Sequence, residues 1–246
     1  MLRRLLNIIP GMFFIILAGC SNPPLIDAVD NGDAAAVKAL LDGGAAVDAR
    51  NKSDDSALAV AIRKGYVDIA NMLLAKNADV NLRDDVGVSA LMLAVSGAHT
   101  GLVHSLLDKG ADITTRDRMG NTALIIMPIR DEPAIIQLLL DHGADVNERN
   151  NNGLDALMVA SYLGHIKIIE TLLANHAEVL AQAEDGHTAL MRAARQGHRE
   201  VVQRLIEAGA DITAQNKSGD TALTWAQKYK HVEIAQLLQQ VGNEQP

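Results

Sequence analysis

Apolar residues return along this chain at one fixed interval. The dipeptide Ala-Leu stands at Ala57-Leu58, Ala90-Leu91, Ala123-Leu124, Ala156-Leu157, Ala189-Leu190 and Ala222-Leu223, each 33 residues from the last. A second apolar mark keeps the same step of 33: Leu40, Leu73, Leu106, Leu139, Leu172, Leu205 and Leu238. Polar and glycine-containing stretches separate the two. The pattern predicts a short helix carrying Ala-Leu inward, then a second helix carrying the deepest leucines. A constant period of this size marks a solenoid, in which each unit buries its apolar face only against its neighbours.

The polar punctuation agrees. Asp117-Arg118-Met119-Gly120-Asn121 reads as a turn, with Gly120 matched by Gly87, Gly153, Gly186 and Gly219, and Asp54 in the same slot. A backbone position with positive φ accounts for glycine there, and Asp tolerates that region better than most residues. Thr122 follows as a helix N-cap, matched by Ser56, Ser89, Asp155, Thr188 and Thr221. Gly32, Gly65, Gly164 and Gly197 end the first helix as left-handed C-terminal residues do. The second helix stops at Gly110-Ala111-Asp112, Gly143-Ala144-Asp145 or Gly209-Ala210-Asp211, with Asn77 and His176 replacing the glycine elsewhere.

Turn, helix, turn, helix and loop in 33 residues, with Thr-Ala-Leu-x-x-Ala opening the first helix, resembles the ankyrin repeat. The family's Thr-Pro-Leu-His appears in variants such as Thr188-Ala189-Leu190-Met191. The resemblance implies an all-α fold, an ankyrin-repeat solenoid of seven stacked helix-turn-helix units with hairpin loops, over residues 23–242 with a tail at 243–246. The ends read as caps. The first unit opens at Pro24-Leu25 without a hairpin, and the last carries Gln236, Gln239 and Gln240. One unit departs from the pattern: in Thr122-Ala123-Leu124-Ile125-Ile126-Met127-Pro128-Ile129-Arg130, Met127 replaces an alanine and Pro128 falls inside the first helix. Proline there removes a hydrogen bond and clashes with the preceding turn, so a shortened or bent helix is expected.

Residues 1–19 read as a leader. Arg3 and Arg4 precede an apolar run from Leu5 to Leu17, interrupted by Asn7 and Pro10-Gly11 and too short for a confident membrane span. It ends in Leu17-Ala18-Gly19-Cys20, which resembles the lipobox of bacterial lipoproteins. The resemblance implies cleavage before Cys20, lipidation of that thiol, and an acylated N-terminus over 20–22. Ser21 after the cysteine implies outer-membrane sorting, with the protein facing the periplasm. Cys20 is the chain's one cysteine, so no internal disulfide is possible. The formal charge is −8, and loss of Arg3 and Arg4 with the leader takes it to −10. An acidic chain is a poor nucleic-acid binder.

No catalytic constellation, phosphate loop or zinc spacing is present, so the expectation is no enzyme, no cofactor and no metal site. His99, His165, His198 and His231 share one slot, which predicts a common structural role, and His187 alone is expected to face the groove. What remains is surface. In ankyrin proteins partners dock on the hairpin tips and the exposed side of the first helices. Projected onto those slots, Met119, Ile129, Leu154, Tyr162 and Leu163 are apolar where the fold requires nothing apolar, and Arg130 lies among them. Tyr and Arg beside aliphatics is hot-spot composition. The ladder Arg50, Arg83, Arg116 and Arg149, with Lys52, Arg63, Lys64 and Arg118, makes the N-terminal half of that side basic. The expected partner-binding residues are therefore Arg116, Arg118, Met119, Ile129, Arg130, Leu154, Tyr162 and Leu163. The expected partner is another protein with an acidic, partly apolar surface, approached more slowly after charge reversal at Arg116 and Arg130. Two roles follow from such a surface: an envelope scaffold or tether, or an inhibitor or immunity-type protein against one envelope enzyme.

Overall fold

The computed structural model describes residues 22–244. Residues 1–21, on which the expected leader and Cys20 fall, and the last two residues lie outside them. Fourteen helices follow one another: α1 (Pro24–Asp30), α2 (Ala34–Asp42), α3 (Ala57–Arg63), α4 (Val67–Ala75), α5 (Ala90–Ser96), α6 (Thr100–Asp108), α7 (Ala123–Ile126), α8 (Pro133–Asp141), α9 (Ala156–Leu163), α10 (Ile166–Ala174), α11 (Ala189–Gln196), α12 (Arg199–Glu207), α13 (Ala222–Lys228) and α14 (Val232–Glu244). Each odd helix packs on the even helix after it. Odd helices stack on odd and even on even, giving two layers. Among the described residues there is no strand beyond isolated bridges at Arg50–Ser56 and Arg83–Ser89, and no helix is long and apolar enough to cross a membrane.

The apolar marks build the core between the layers. Both residues of every Ala-Leu pair are buried except Leu223, which is half-buried in the last pair. Leu73, Leu106, Leu139, Leu172 and Leu205 are fully buried, and Leu238 nearly so. Each such leucine contributes about 1.5–3 kcal/mol by leaving water. Leu40 is the exception to the expected row: it is half-buried, because no earlier helix pair covers that side among the described residues, and Val37 and Leu41 are the buried residues of α2.

The N-caps follow the predicted slot. Ser56, Ser89, Asp155, Thr188 and Thr221 accept from the backbone N–H three residues on, at 2.8–3.3 Å. Thr122 does not. The Ile125 N–H that its hydroxyl would accept is taken by the Thr122 carbonyl at 3.1 Å, and the hydroxyl is buried without a partner. The left-handed slots hold as well, with Gly65 at φ 76 and Gly197 at φ 85. Ala98 (φ 56) and Lys230 (φ 61) adopt the same conformation where glycine is missing.

The irregular unit is resolved as a shortened helix. α7 has four residues, against seven or eight in α3, α5, α9, α11 and α13. It ends at Met127, whose φ 58 and ψ 141 lie far from helix, ahead of the buried Pro128. That conformation costs a non-glycine residue about 1–3 kcal/mol. Three contacts hold the loop that follows. The Ile129 N–H donates to the Ser96 carbonyl (3.0 Å), and the Pro128 carbonyl accepts from His165 Nε2 (3.1 Å). The Asp131 carboxylate accepts from the N–H groups of Lys167 and Ile168 at the start of α10, both at 2.9 Å.

Candidate functional site

The hairpins between helix pairs form one edge of the groove side. An Asn or Asp at the base of all but one turn fixes its shape: the Asp117 carboxylate accepts from the N–H groups of Met119 and Asn121, both at 2.8 Å. Asn51, Asp84, Asn150 and Asn216 do the same in their own turns. This slot also recurs at 33 residues, with Ala183 as its exception, and was missed in the sequence although its period gives it away. Successive hairpins are joined by backbone bonds, Arg118 N–H to Val86, Asn151 to Met119, Glu184 to Asn152 and Lys217 to Asp185. At Gly186, which has φ 79, an added Cβ would stand 2.8 Å from the Lys217 nitrogen, so the next hairpin excludes any side chain.

The arginine ladder belongs to this scaffold. Arg50 Nη1 donates to the Arg83 carbonyl (2.9 Å), Arg116 Nη1 to the Arg149 carbonyl (2.9 Å) and Arg149 Nη1 to the Gln182 carbonyl (3.2 Å). Arg116 also holds the Gly120 carbonyl and pairs with Glu148. The N-terminal cations are likewise engaged. Arg63 grips Asp55 through two nitrogens at 2.8 and 2.7 Å and reaches Asp84 at 3.4 Å, while Lys64 pairs with Asp30 at 3.0 Å. The Arg63 guanidinium holds the Asp55 carboxyl below its ordinary range. Of the basic N-terminal half read in the sequence, Arg50, Arg63, Lys64, Arg116 and Arg149 are therefore engaged in ion pairs within the chain.

The expected partner-binding residues fall into two groups. Arg116, Arg118 and Met119 sit at the third hairpin, with Met119 56 % exposed. Ile129, Arg130, Tyr162 and Leu163 lie at the ends of two neighbouring first helices, α7 and α9, which stack on each other. Ile129 is 70 % exposed, and Tyr162 and Leu163 are exposed too. Leu154 differs: it is half-buried and packs against the core. Arg118 and Arg130 are exposed, and neither guanidinium has an acidic partner among the described residues.

The C-terminal end carries a cluster that sequence reading passed over. Trp225 stacks with Tyr229 at 5.8 Å between ring centroids and meets His187 at 5.3 Å. The Arg195 guanidinium lies 5.0 Å from the Trp225 ring and Lys228 Nζ 4.7 Å from it. Asp185 is shared between His187 (3.0 Å) and Arg192 (3.6 Å). Burial pulls the Arg192 guanidinium below its ordinary pKa, opposed by Asp185 and Asp155. His187, which the sequence reading assigned to the groove, is part of this aromatic and cationic cluster. The signal was in the spacing: Ile129, Tyr162, Arg195 and Lys228 occupy one slot, stepping by 33.

The slot-sharing histidines have a common task in three units. Nε2 of His165, His198 and His231 donates to a backbone carbonyl of the preceding unit, on Pro128, Tyr162 and Arg195, at 3.0–3.1 Å. Among the described residues no group of three or more His, Cys, Asp or Glu side chains is placed to hold a metal ion.

Comparison with protein families matches the chain to ankyrin repeats, in three copies over residues 11–84, 91–183 and 175–245. No curated protein matches. Ankyrin repeats mediate binding to other proteins and are typically interaction scaffolds rather than enzymes. With the match running over nearly the whole chain and the helix pairs stacked in two layers, this protein belongs to the ankyrin-repeat family.

Proposed function

We propose that this ankyrin-repeat chain is a lipid-anchored protein of the bacterial envelope that holds another protein in the middle of its groove. The observation that carries the groove reading is the interruption at Pro128. There the chain gives up part of a helix and accepts a left-handed methionine, and Ile129 stands 70 % exposed near Tyr162, Leu163 and an Arg130 guanidinium with no acidic partner among the described residues. Exposed apolar residues gathered at one place on a soluble surface mark an interface. Backbone strain of this kind persists where a site needs it. The groove is held by hydrogen bonds before any partner arrives, so little ordering entropy opposes association. Each helix pair is read as one repeat, seven in all.

The anchor rests on Leu17-Ala18-Gly19-Cys20. Acyl chains contribute about 0.8 kcal/mol per buried CH2, enough in combination to hold a folded domain at a bilayer. The partner's surface is proposed to be acidic and partly apolar, matching Arg130 and its neighbours, and the protein to act as a scaffold or tether.

The test is affinity capture from envelope extract with the wild type and a Tyr162→Glu, Arg130→Glu double variant. One protein retained by the wild type and lost with the variant supports the mid-stack groove. The same set retained by both overturns it. A captured enzyme whose activity falls at stoichiometric ratio would make the role inhibition. For the anchor, Cys20→Ser should abolish incorporation of labelled fatty acid and release the protein from membranes.

A further inference from the structure

The acidic chain keeps two cations at the far end of its groove with no acid beside them. Arg195 and Lys228 make no ion pair among the described residues, although acids outnumber bases by 30 to 22 in the sequence. Nearby Asp185 lies against His187 (3.0 Å) and Arg192 (3.6 Å). Arg195 is held by stacking instead, 5.0 Å from the Trp225 ring centroid and 5.6 Å from that of Tyr229. With no acidic partner among the described residues, the Arg195 guanidinium keeps its N–H groups for a carboxylate, which it can grip with two parallel bonds. Lys228 Nζ, 4.7 Å from the same ring, adds a second charge. The Trp225 Nε1–H is a buried donor without a partner, so the cluster is not closed on itself.

Register gives the direction. Ile129, Tyr162, Arg195 and Lys228 are equivalent positions in four successive units, running from an apolar middle to a basic end. We propose that the C-terminal end of the groove is a carboxylate subsite: an extended acidic segment of the protein partner lays apolar side chains on Ile129 and Tyr162 and an Asp or Glu carboxylate on Arg195 and Lys228. This rests on the mid-stack groove being the docking face, and it names what the partner must carry one and two units further on.

Trp225 is the chain's only tryptophan, so its emission reads the subsite directly. The probe is a capped peptide of alternating Leu and Glu, added to the full-length protein, with the Leu and Gln counterpart beside it. Expected is a saturable change in emission with the Glu peptide, at least about tenfold weaker with the Gln peptide, and weakened further by added NaCl. Arg195→Gln should weaken binding by a similar factor with an unchanged Tm, and Arg195→Lys should restore part of it. Equal response to both peptides, or no response, overturns the subsite. The same saturation by inorganic phosphate overturns it as well, since the site would then select charge alone. The two readings fail separately. Loss of partner capture in the Tyr162→Glu, Arg130→Glu variant without any preference for Glu over Gln sinks the subsite alone. A Glu preference at Trp225 with capture unchanged sinks the mid-stack docking face and leaves the subsite standing.

Discussion

Lys230 occupies a slot that four other units fill with glycine, Gly32, Gly65, Gly164 and Gly197, and it pays for this with φ 61. The side chain is exposed and nothing in its environment rewards the left-handed backbone. Lys230→Gly should therefore stabilise the protein by roughly 0.5–1 kcal/mol, the relief of the left-handed penalty less glycine's extra chain entropy. A rise of a few degrees in Tm checks it. Asp155 makes a second prediction at this scale. It is buried, and burial raises its carboxyl above the ordinary value of 3.8, offset in part by the Met158 N–H and by Arg149 and Arg192. From that ordinary value up to the raised one, the folded chain keeps a proton that the unfolded chain has lost, so stability falls as pH rises through the window. Asp155→Thr, which keeps a capping oxygen as Thr188 does, should remove that slope, and the variant should gain on the wild type as pH rises above the ordinary carboxylate range in urea titrations. Asp55 has the opposite sign: its lowered pKa, set first by Arg63, contributes stability that is lost as pH falls below the ordinary carboxylate range. The capping slot was legible in the sequence because a hydroxyl or carboxylate there recurs. The idle Thr122 hydroxyl was not, because its failure depends on a turn tightened by a break four residues later.

At the scale of elements, the helices were legible wherever the apolar period was intact, and Pro128 marked the one that would fail. What the sequence could not give was the replacement for the lost turn. The loop after α7 is fastened to the unit before it through Ser96 and to the unit after it through His165 and α10. These bonds join residues 33 to 37 apart, and only folding brings their partners together. Asp131 is the telling member, because it caps a helix that is not its own. Asp131→Ala should cost about 1–2 kcal/mol in urea denaturation, the worth of a good N-cap, and should fray the start of α10 in hydrogen exchange. A change below a few tenths of a kcal/mol would mean that the loop is held by apolar packing alone. The exposed Ile129 was anticipated as a groove residue, whereas the half-buried Leu154 shows how a hairpin-side leucine turns back into the core.

For the molecule as a whole, the arginine ladder divides stability from binding. Arg116 looked like a docking residue in the sequence, since a charge at a repeated exposed slot gives no sign of where its donors end. In the folded chain it serves the next hairpin's carbonyl, its own turn and Glu148. Arg116→Ala should lower the unfolding free energy by about 1–2 kcal/mol while leaving the salt dependence of partner association unchanged, and Arg130→Ala should do the reverse. Equilibrium denaturation and association kinetics on the two variants separate these outcomes. The packing of each unit on its neighbours was readable from the period, and the stack of helix pairs from the resemblance to ankyrin repeats. The aromatic and cationic cluster at its end was readable only in part, because the sequence displays which residues share a slot but not which of them find partners.

One consequence of the joined hairpins concerns mechanics. From Arg50 to Lys217 each hairpin is tied to the next by a backbone bond, an arginine bond or both. The helix layers are joined mainly by apolar contact, which tolerates small sliding. The hairpin edge therefore behaves as a seam of nearly fixed length, and bending of the array is taken up in the helix layers opposite. Flexing about such a seam changes the curvature of the groove without changing the spacing of the hairpin tips. A partner gripping both edges would feel a spring hinged along one side, stiff in stretch and soft in curl.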